Sequence, residues 1–387
     1  MGRVVADLAT TIFDAARRRR PRLVEMLAEI TALDAPSGDA EALAAPAALL
    51  SGWLEELGAR TAVVPGAKGR LLDARLGEGA GAGALILCHY DTVWSAGTVA
   101  ERPFEVDGEV ARGPGVVDMR GGIVACLGAL ATLAELGLER PVRLILTPDE
   151  ETGSEASRAA IEAAAGEASL VLVPEPALPD GSLKTARKGW LLVRLVARGV
   201  AAHAGLEPER GASAVDELVA ALAALRELGD GETTVNVGLL GAANPANVVA
   251  ELAEATVDLR FVDAAAAEGV RAALGALRPR DRRARLEVEE LHSRPPLVRT
   301  AASAAAAARV RRLAGELGLA PIGEGAAGGV SDANLAALGG AAILDGIGPV
   351  GGGAHARDEW VDLGSLVERS ALIALLLADD PNPTQAR

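Results

Sequence analysis

Short runs of consecutive apolar residues alternate with helix-like segments in the first half of the chain. Strands are predicted at 84–88, 142–146 and 170–173, because each run is short and is bounded by Gly, Pro or charged residues. Helices are predicted at 121–138 and 155–165, between these strands. Strands separated by helices indicate a mainly parallel, three-layer α/β sheet. In such sheets, functional sites lie at the carboxyl ends of the strands.

The pattern changes near residue 189, where partly alternating strands replace the fully apolar ones. From 190 to 290 the predicted order is strand, helix, strand, strand, helix, strand, which is typical of a ferredoxin-like α+β domain. After Pro296 the α/β pattern returns. We therefore expect a main α/β domain formed by 1–188 and 298–387, with a second domain inserted at 189–297.

Composition narrows the class of protein. The chain has 387 residues, half of them hydrophobic, which is enough to build a core and excludes general disorder. The formal charge of −15 argues against nucleic acid and membrane as partners, because both are anionic. Two cysteines, Cys88 and Cys126, are too few for a disulfide framework and are expected to be buried thiols.

The first 23 residues lack the apolar core of a signal peptide, and four arginines at 17–20 interrupt an otherwise amphipathic helix. No run of residues approaches the roughly 20 apolar residues that cross a bilayer. We therefore expect a cytoplasmic protein.

His89 and Asp91 are the first candidates for chemistry. His89 follows the apolar run 84–88, and Asp91 lies two residues on, on the same side of an extended backbone. The Asp91 carboxylate can then accept the second ring N–H, as carboxylates usually do for metal-binding histidines. Alone this pair is weak evidence, since a structural histidine is the commoner case.

Other candidate ligands are predicted at the same edge of the sheet. Each has an ordinary alternative: Asp118 could cap the following helix, and the adjacent acids 149–151 could form a solvated turn. The side chains expected to meet there, one of them from the returning C-terminal segment, are His89, Asp118, Glu150, Glu151, Glu175 and His355. Two histidines with four carboxylates suit a pair of zinc ions.

Eight short motifs over nearly the whole chain occur in the order of a known family. They are His-Tyr-Asp-Thr-Val (89–93), Gly-Pro-Gly-x-x-Asp-Met-x-Gly-Gly (113–122), Asp-Glu-Glu-x-Gly-Ser (149–154), Glu-Pro (175–176), His-Ala-Gly (203–205), Asp-Leu-Arg (258–260), Gly-Gly-Val-Ser-Asp-Ala-Asn (328–334) and Gly-Gly-Gly-Ala-His (351–355). With this set the sequence resembles the M20 family of metallopeptidases, particularly its glutamate carboxypeptidase branch.

The resemblance implies a zinc-peptidase catalytic domain with two Zn²⁺ ions per chain, for which Co²⁺ or Mn²⁺ could substitute. His89 and Glu175 would bind one ion, Glu151 and His355 the other, and Asp118 would bridge them. Paired metal ions polarise a scissile carbonyl and activate water.

The resemblance also implies roles around the metals. Glu150 would be the general base, and Asp91 would orient His89. His203 would cross to the partner subunit's site and stabilise the oxyanion. Asn247 and Arg260 match residues that hold a substrate carboxylate, a task that suits a guanidinium fork.

The insert would be a dimerisation and lid domain, so a homodimer is expected. An uncovered strand edge in the insert invites pairing with a second copy. Arg294 falls where the glutamate carboxypeptidases carry a further substrate arginine, although a solvated arginine is an equal alternative. Lys184 and Lys188 border the passage into the insert and favour an acidic side chain on the substrate.

The expected reaction is hydrolysis of the amide bond of a C-terminal amino acid in a small peptide or N-acyl amino acid with a free carboxylate. An M20 deacylase, of the acetylornithine deacetylase, succinyl-diaminopimelate desuccinylase or aminoacylase type, is the alternative, because it shares the metal site. A non-catalytic binding homologue is a remote alternative, since every ligand and the base are present. Residues 323–328 match a dinucleotide fingerprint, but no convincing strand precedes them.

Overall fold

The computed structural model describes residues 2–77 and 83–379, which fall into two compact units. The first unit extends to Ala186 and also contains Arg299–Ala327 and the chain from Ser331. The second unit contains Arg187–Val298 and Gly328–Val330. The sequence prediction placed the insert at 189–297 and did not assign the short 328–330 segment to it.

The α-helices in the described residues are α1 (Gly2–Thr31), α2 (Ala44–Glu56), α3 (Thr98–Glu101), α4 (Gly121–Leu136), α5 (Arg158–Glu167), α6 (Ala214–Arg226), α7 (Ala264–Ala276), α8 (Ala301–Glu316), α9 (Asp332–Ala336) and α10 (Leu363–Ala378). The strands are β1 (Arg60–Gly66), β2 (Gly69–Leu76), β3 (Ala84–His89), β4 (Glu105–Asp107), β5 (Val110–Arg112), β6 (Val142–Thr147), β7 (Leu170–Val173), β8 (Leu183–Arg187), β9 (Gly189–Arg198), β10 (Thr234–Gly241), β11 (Leu252–Phe261), β12 (Arg285–Arg294), β13 (Glu324–Ala327), β14 (Ala342–Asp345), β15 (Gly351–Gly352) and β16 (Trp360–Asp362).

A mixed sheet forms the centre of the first unit, in the order β1-β2-β6-β3-β7-β14-β8-β13. Its middle strands, β6, β3, β7 and β14, are parallel, as the apolar runs predicted. The flanking pairs β1–β2, β2–β6 and β14–β8 are antiparallel. The fold class is therefore α/β as predicted, but the sheet is less parallel than the sequence indicated because its outer strands reverse.

Helices α1, α4, α8 and α10 pack together with the apolar side chains of this sheet. Helix α1 runs unbroken through the four arginines and Pro21, so the expected interruption at 17–20 is wrong. Arg18 and Arg19 form ion pairs with Glu135 at the end of α4, which keeps their charge on the helix surface. Cys88 and Cys126 are buried free thiols, as expected.

The expectation that no run approaches membrane-spanning length is wrong, because Val116–Leu136 is apolar and long enough to cross a membrane by length and composition alone. However, 89% of it is buried inside the fold, as in the core helix of a globular domain. The cytoplasmic location stays a prediction.

The second unit contains an antiparallel sheet in the order β10-β11-β9-β12, with the connections of the predicted ferredoxin-like domain. Leu191, Val193 and Leu195 of β9 alternate inward and pack with α6 and α7, while the intervening residues lie on the other face. Strands β10 and β12 form the two edges.

The glycine-rich segment 323–328 contains strand β13. A dinucleotide fingerprint requires a tight turn that opens a helix. The structure therefore gives no support to that alternative.

Candidate metal centre

The predicted ligands of the first unit come together at the carboxyl edge of the parallel strands. His89 is the last residue of β3, whereas the sequence analysis placed it directly after the strand. Glu150 and Glu151 form a short turn after β6, and Glu175 follows β7. His355 lies in the loop between β15 and β16 and has a left-handed backbone, with φ of 62°.

Asp118 lies in the tight turn Val116–Arg120 that precedes α4. The alternative that it caps this helix is wrong, because Arg120 holds the N-cap position. Gly122, in the first turn of α4, permits a close approach to the end of β7: an added Cβ would lie 1.9 Å from the carbonyl oxygen of Pro174. This contact fixes the start of α4 next to Glu175.

The Asp118 carboxylate lies between the two histidines. Its Oδ1 is 3.2 Å from Nε2 of His89, and its Oδ2 is 3.4 Å from Nε2 of His355. Each histidine has a second carboxylate next to it. Glu175 Oε1 is 3.5 Å from His89 Nε2, and Glu151 Oε2 is 3.1 Å from His355 Nε2. The arrangement is two half-sites that share one carboxylate.

The residues fit divalent metal ions. Ligand atoms of His89, Asp118 and Glu151 all lie within 4.8 Å of one another. The Nδ1 atom of His89 is 3.1 Å from the backbone oxygen of Asp91, which leaves Nε2 to face the cluster. Imidazole nitrogen with carboxylate oxygen is a donor set that zinc accepts. Acidic groups this close also require positive charge between them.

The histidines and carboxylates of the cluster shift one another's pKa values. Hydrogen bonds to Asp118 and Glu151 raise the pKa of His355 to about 10. Burial alone would lower the pKa of His89, but hydrogen bonds to the surrounding carboxylates, Asp118 first, raise it well above its ordinary value. Burial alone would raise the pKa of Asp118, yet hydrogen bonds from both histidines lower it far below its usual range. Burial raises the pKa of Glu151.

Asp91 contacts His89 and also the turn that bears the two glutamates, but the hydrogen-bond partner of His89 Nδ1 is the Asp91 backbone oxygen and not the predicted carboxylate. Its carboxylate is fully buried and accepts hydrogen bonds from the backbone N–H groups of Glu150 and Glu151, both at 3.2 Å. Its Oδ2 also accepts from Ser37 Oγ at 2.7 Å, and its Oδ1 is 3.4 Å from His89 Nδ1. One side chain therefore holds both the end of β3 and the turn that bears the two glutamates.

Glu359 is a residue that the sequence analysis missed. Only 2% of it is exposed, and its carboxylate accepts hydrogen bonds from backbone N–H groups of the turn that contains Asp118. The available signal was an acid four residues after His355, in the charged run Arg357, Asp358 and Glu359. Such a charged run is equally typical of a solvated loop.

The predicted substrate residues belong to the second unit, where they form two groups. His203 and Asn247 are exposed on facing segments: the N–H of Ala204 donates to the Asn247 backbone oxygen at 2.9 Å. The Nδ1 atom of His203 accepts from the N–H groups of Gly205 and Leu206, at 3.2 and 3.1 Å. The proton of the neutral ring therefore resides on Nε2.

Arg260 and Arg294 flank Trp190 across three neighbouring strands. Arg260 donates two hydrogen bonds to the carboxylate of Asp258, at 2.8 and 2.9 Å, and lies over the Trp190 ring. Arg294 is 1% exposed, so the alternative of a solvated arginine is wrong. The ammonium of Lys188 donates to backbone oxygens of residues 231 and 232.

Comparison with known proteins identifies the family. The model of peptidase family M20/M25/M40 matches residues 85–379. Carboxypeptidase G2 of Pseudomonas sp. (strain RS-16) is 30% identical over 386 residues, which cover 95% of this chain and 91% of that protein.

Solved structures show the same fold. An M20 family metallo-carboxypeptidase from Sulfolobus solfataricus superposes with a TM-score of 0.74 at 18% identity, over 92% of this chain and 98% of that one. Aminopeptidase PepT from Bacillus cereus gives a TM-score of 0.74 at 20% identity, over 93% and 98%. The family match over most of the chain and the clustered ligands agree with the predicted resemblance. The chain therefore belongs to peptidase family M20/M25/M40 and is a metallohydrolase of that family.

Proposed function

We propose that this chain is a di-zinc hydrolase that releases a C-terminal amino acid from a small peptide or N-acyl amino acid by cleaving its amide bond. The observation that carries the proposal is the position of Asp118, whose two carboxylate oxygens each face a different histidine. The 30% identity to a protein named carboxypeptidase G2 supports a carboxypeptidase rather than another member of the family.

The five ligands divide into two sets around Asp118. His89 and Glu175 would hold one ion, and Glu151 and His355 would hold the other. Two bound zinc ions would supply positive charge that polarises the scissile carbonyl and lowers the pKa of a water. Co²⁺ or Mn²⁺ accepts the same donors.

Glu150 is the proposed general base and acid. Asp91 fixes its backbone N–H, and the residue is only 9% exposed, so its carboxylate has a defined position next to the ligand Glu151. We assign it the proton of the attacking water, which it later gives to the leaving amine.

Residues of the insert are proposed to recognise the substrate. His203 has Nε2–H available as a donor, because Nδ1 already accepts two backbone N–H groups, and this suits an oxyanion. Arg260 is held by Asp258 through Nε and Nη2, which leaves Nη1 to donate to a free carboxylate. Asn247 and Arg294 are assigned to the same end of the substrate.

A homodimer is part of the proposal. Strand β10 is an edge of the insert sheet, and its Leu239 and Leu240 are more than half exposed, which favours pairing with a second copy. The test mixes inactive His203→Ala with inactive Glu150→Gln under conditions of proven subunit exchange. If His203 acts in the partner's site, each mixed dimer has one intact site and activity returns towards half of wild type. Activity that stays at the level of the parents contradicts the shared site.

The main test begins with protein stripped by a chelator and reconstituted with zinc, which should bind two equivalents by elemental analysis. A screen of dipeptides and N-acyl amino acids should then show release of the C-terminal amino acid. Full activity with one equivalent contradicts the bridging role of Asp118. Turnover of N-acetyl or N-succinyl amino acids alone, with dipeptides and other N-acyl amino acids untouched, indicates a deacylase instead.

A further inference from the structure

Glu359 is a buried carboxylate with a hydrogen-bond donor pair on each oxygen. Its Oε1 accepts from the backbone N–H groups of Val117 and Asp118, at 3.0 and 3.2 Å. Its Oε2 accepts from the N–H of Gly115 at 2.8 Å and from Nε1 of Trp94 at 3.1 Å. All four groups donate, so they match an ionised carboxylate, whose oxygens only accept. An amide or a protonated acid of the same shape would direct a donor of its own at these groups.

This carboxylate connects two ligands of the metal centre through the chain. It lies four residues after His355 and bonds directly to the backbone of Asp118, the residue that His355 faces. The same loop is also attached to β5, because Arg112 donates to the backbone oxygen of Asp358 at 3.2 Å. The His355 loop and the Asp118 turn are therefore held as one piece.

We infer that Glu359 is a positioning residue that fixes Asp118 between His89 and His355 for metal binding. The inference rests on the proposed function, because it assumes that these three residues bind metal. The turn that contains Asp118 departs from regular helix, and Glu359 accepts from the N–H groups of Val117 and Asp118 within it and of Gly115 just before it. Without this acceptor the turn can relax, and the bridging carboxylate loses its orientation.

Glu359→Gln tests the inference with almost no change in shape. Whichever oxygen becomes an amide nitrogen, that nitrogen faces two N–H donors. We expect zinc affinity to fall about 10–100-fold, the usual effect of losing a group that orients a metal ligand. The measurement is competition for zinc between the protein and a chromophoric chelator. A parallel fall in kcat with little change in KM is expected, because Glu359 contacts the backbone of the metal turn and is not among the proposed substrate residues.

The control is Glu101→Gln, which removes an exposed ion pair to Arg357 of the same loop, at 3.8 Å, without touching Asp118. Its zinc affinity should equal that of wild type. Circular dichroism and urea unfolding of the metal-free proteins show whether each variant is folded. Glu359→Ala is the second variant, since water can enter the vacated space and satisfy the donors if Gln is not tolerated. It should also bind zinc more weakly.

Three results overturn the inference. One is wild-type zinc affinity in a folded Glu359→Gln or Glu359→Ala variant. Another is an equal loss in Glu101→Gln, which makes the effect a general property of the loop. If wild type itself binds no zinc, the proposed function fails, and this inference fails with it.

Discussion

Asp91→Asn is the sharpest test of how the metal centre is held together. The substitution keeps the size of the side chain and replaces one carboxylate oxygen with an N–H donor. Both oxygens face backbone donors: Oδ1 accepts from the N–H of Glu150 and Oδ2 from the N–H of Glu151. Ser37 can rotate its hydroxyl to become an acceptor, but neither backbone amide can adapt.

The magnitude follows from this geometry. Whichever oxygen is replaced, one N–H of the 150–151 turn, buried at Glu150 and partly buried at Glu151, loses its acceptor, which costs about 1–3 kcal/mol. The hydrogen bonds that remain have a neutral amide oxygen as acceptor instead of a carboxylate, and are therefore about half as strong. Because the same side chain also faces Nδ1 of His89, the ring orientation loosens, and zinc affinity should fall about 10–100-fold.

The assay is urea unfolding of the metal-free protein together with zinc titration against a competing chelator. Asp34→Asn is the matched control, because Asp34 also accepts two backbone N–H groups, from Gly97 at 2.6 Å and Val99 at 3.2 Å, but touches no candidate ligand. It should lose stability without losing zinc affinity. If Asp91→Asn binds zinc like wild type, or no worse than Asp34→Asn, the reasoning is refuted.

Two further predictions separate catalysis, metal binding and stability. Glu150→Gln should keep both zinc ions and lower kcat about 10²–10⁴-fold, the usual contribution of a general base, whereas Glu151→Gln should lose metal by elemental analysis; identical behaviour of the two variants contradicts their separate roles. Ion pairs with Arg299 and Arg311 lower the pKa of Glu324 to about 2, so its contribution is full above its unfolded pKa of 4.5 and is lost as pH falls towards 2. Because both arginines are half exposed, Glu324→Gln should cost only about 1–2 kcal/mol at pH 7 and less at pH 3 in urea unfolding, and a cost independent of pH contradicts the ion-pair origin.

The sequence predicted the strands that are buried on both faces, because such strands are short runs of consecutive apolar residues. The strands at 84–88, 142–146 and 170–173 appear within about a residue of their expected ends. Strands β1 and β2 were not predicted, because β1 is mostly exposed and carries no apolar periodicity. The short strands β4, β5, β15 and β16 are defined by pairing with one another, which local sequence does not encode.

The candidate site also contains residues that the sequence predicted and one that it missed. Residue type and position after a strand were enough to collect His89, Glu150, Glu151 and Glu175, because parallel strands end at one edge. His355 was expected there because the C-terminal segment returns to the sheet, and the family motifs added the division of the ligands between two ions. The contacts of Glu359 could not be predicted from the sequence, because they depend on a turn whose backbone departs from regular helix.

The ligands are arranged by contacts between the loops that bear them more than by the sheet alone. Asp91 joins the end of β3 to the turn of Glu150 and Glu151, and Glu359 joins the His355 loop to the turn of Asp118. Gly122 brings the start of α4 against the carbonyl group that precedes Glu175. Each segment that bears a proposed ligand thus contacts a neighbouring ligand-bearing segment through a buried group that is not itself a proposed metal ligand. A substitution that removes one of these contacts should therefore weaken metal binding first. The fold should be lost only when several of the contacts are removed together.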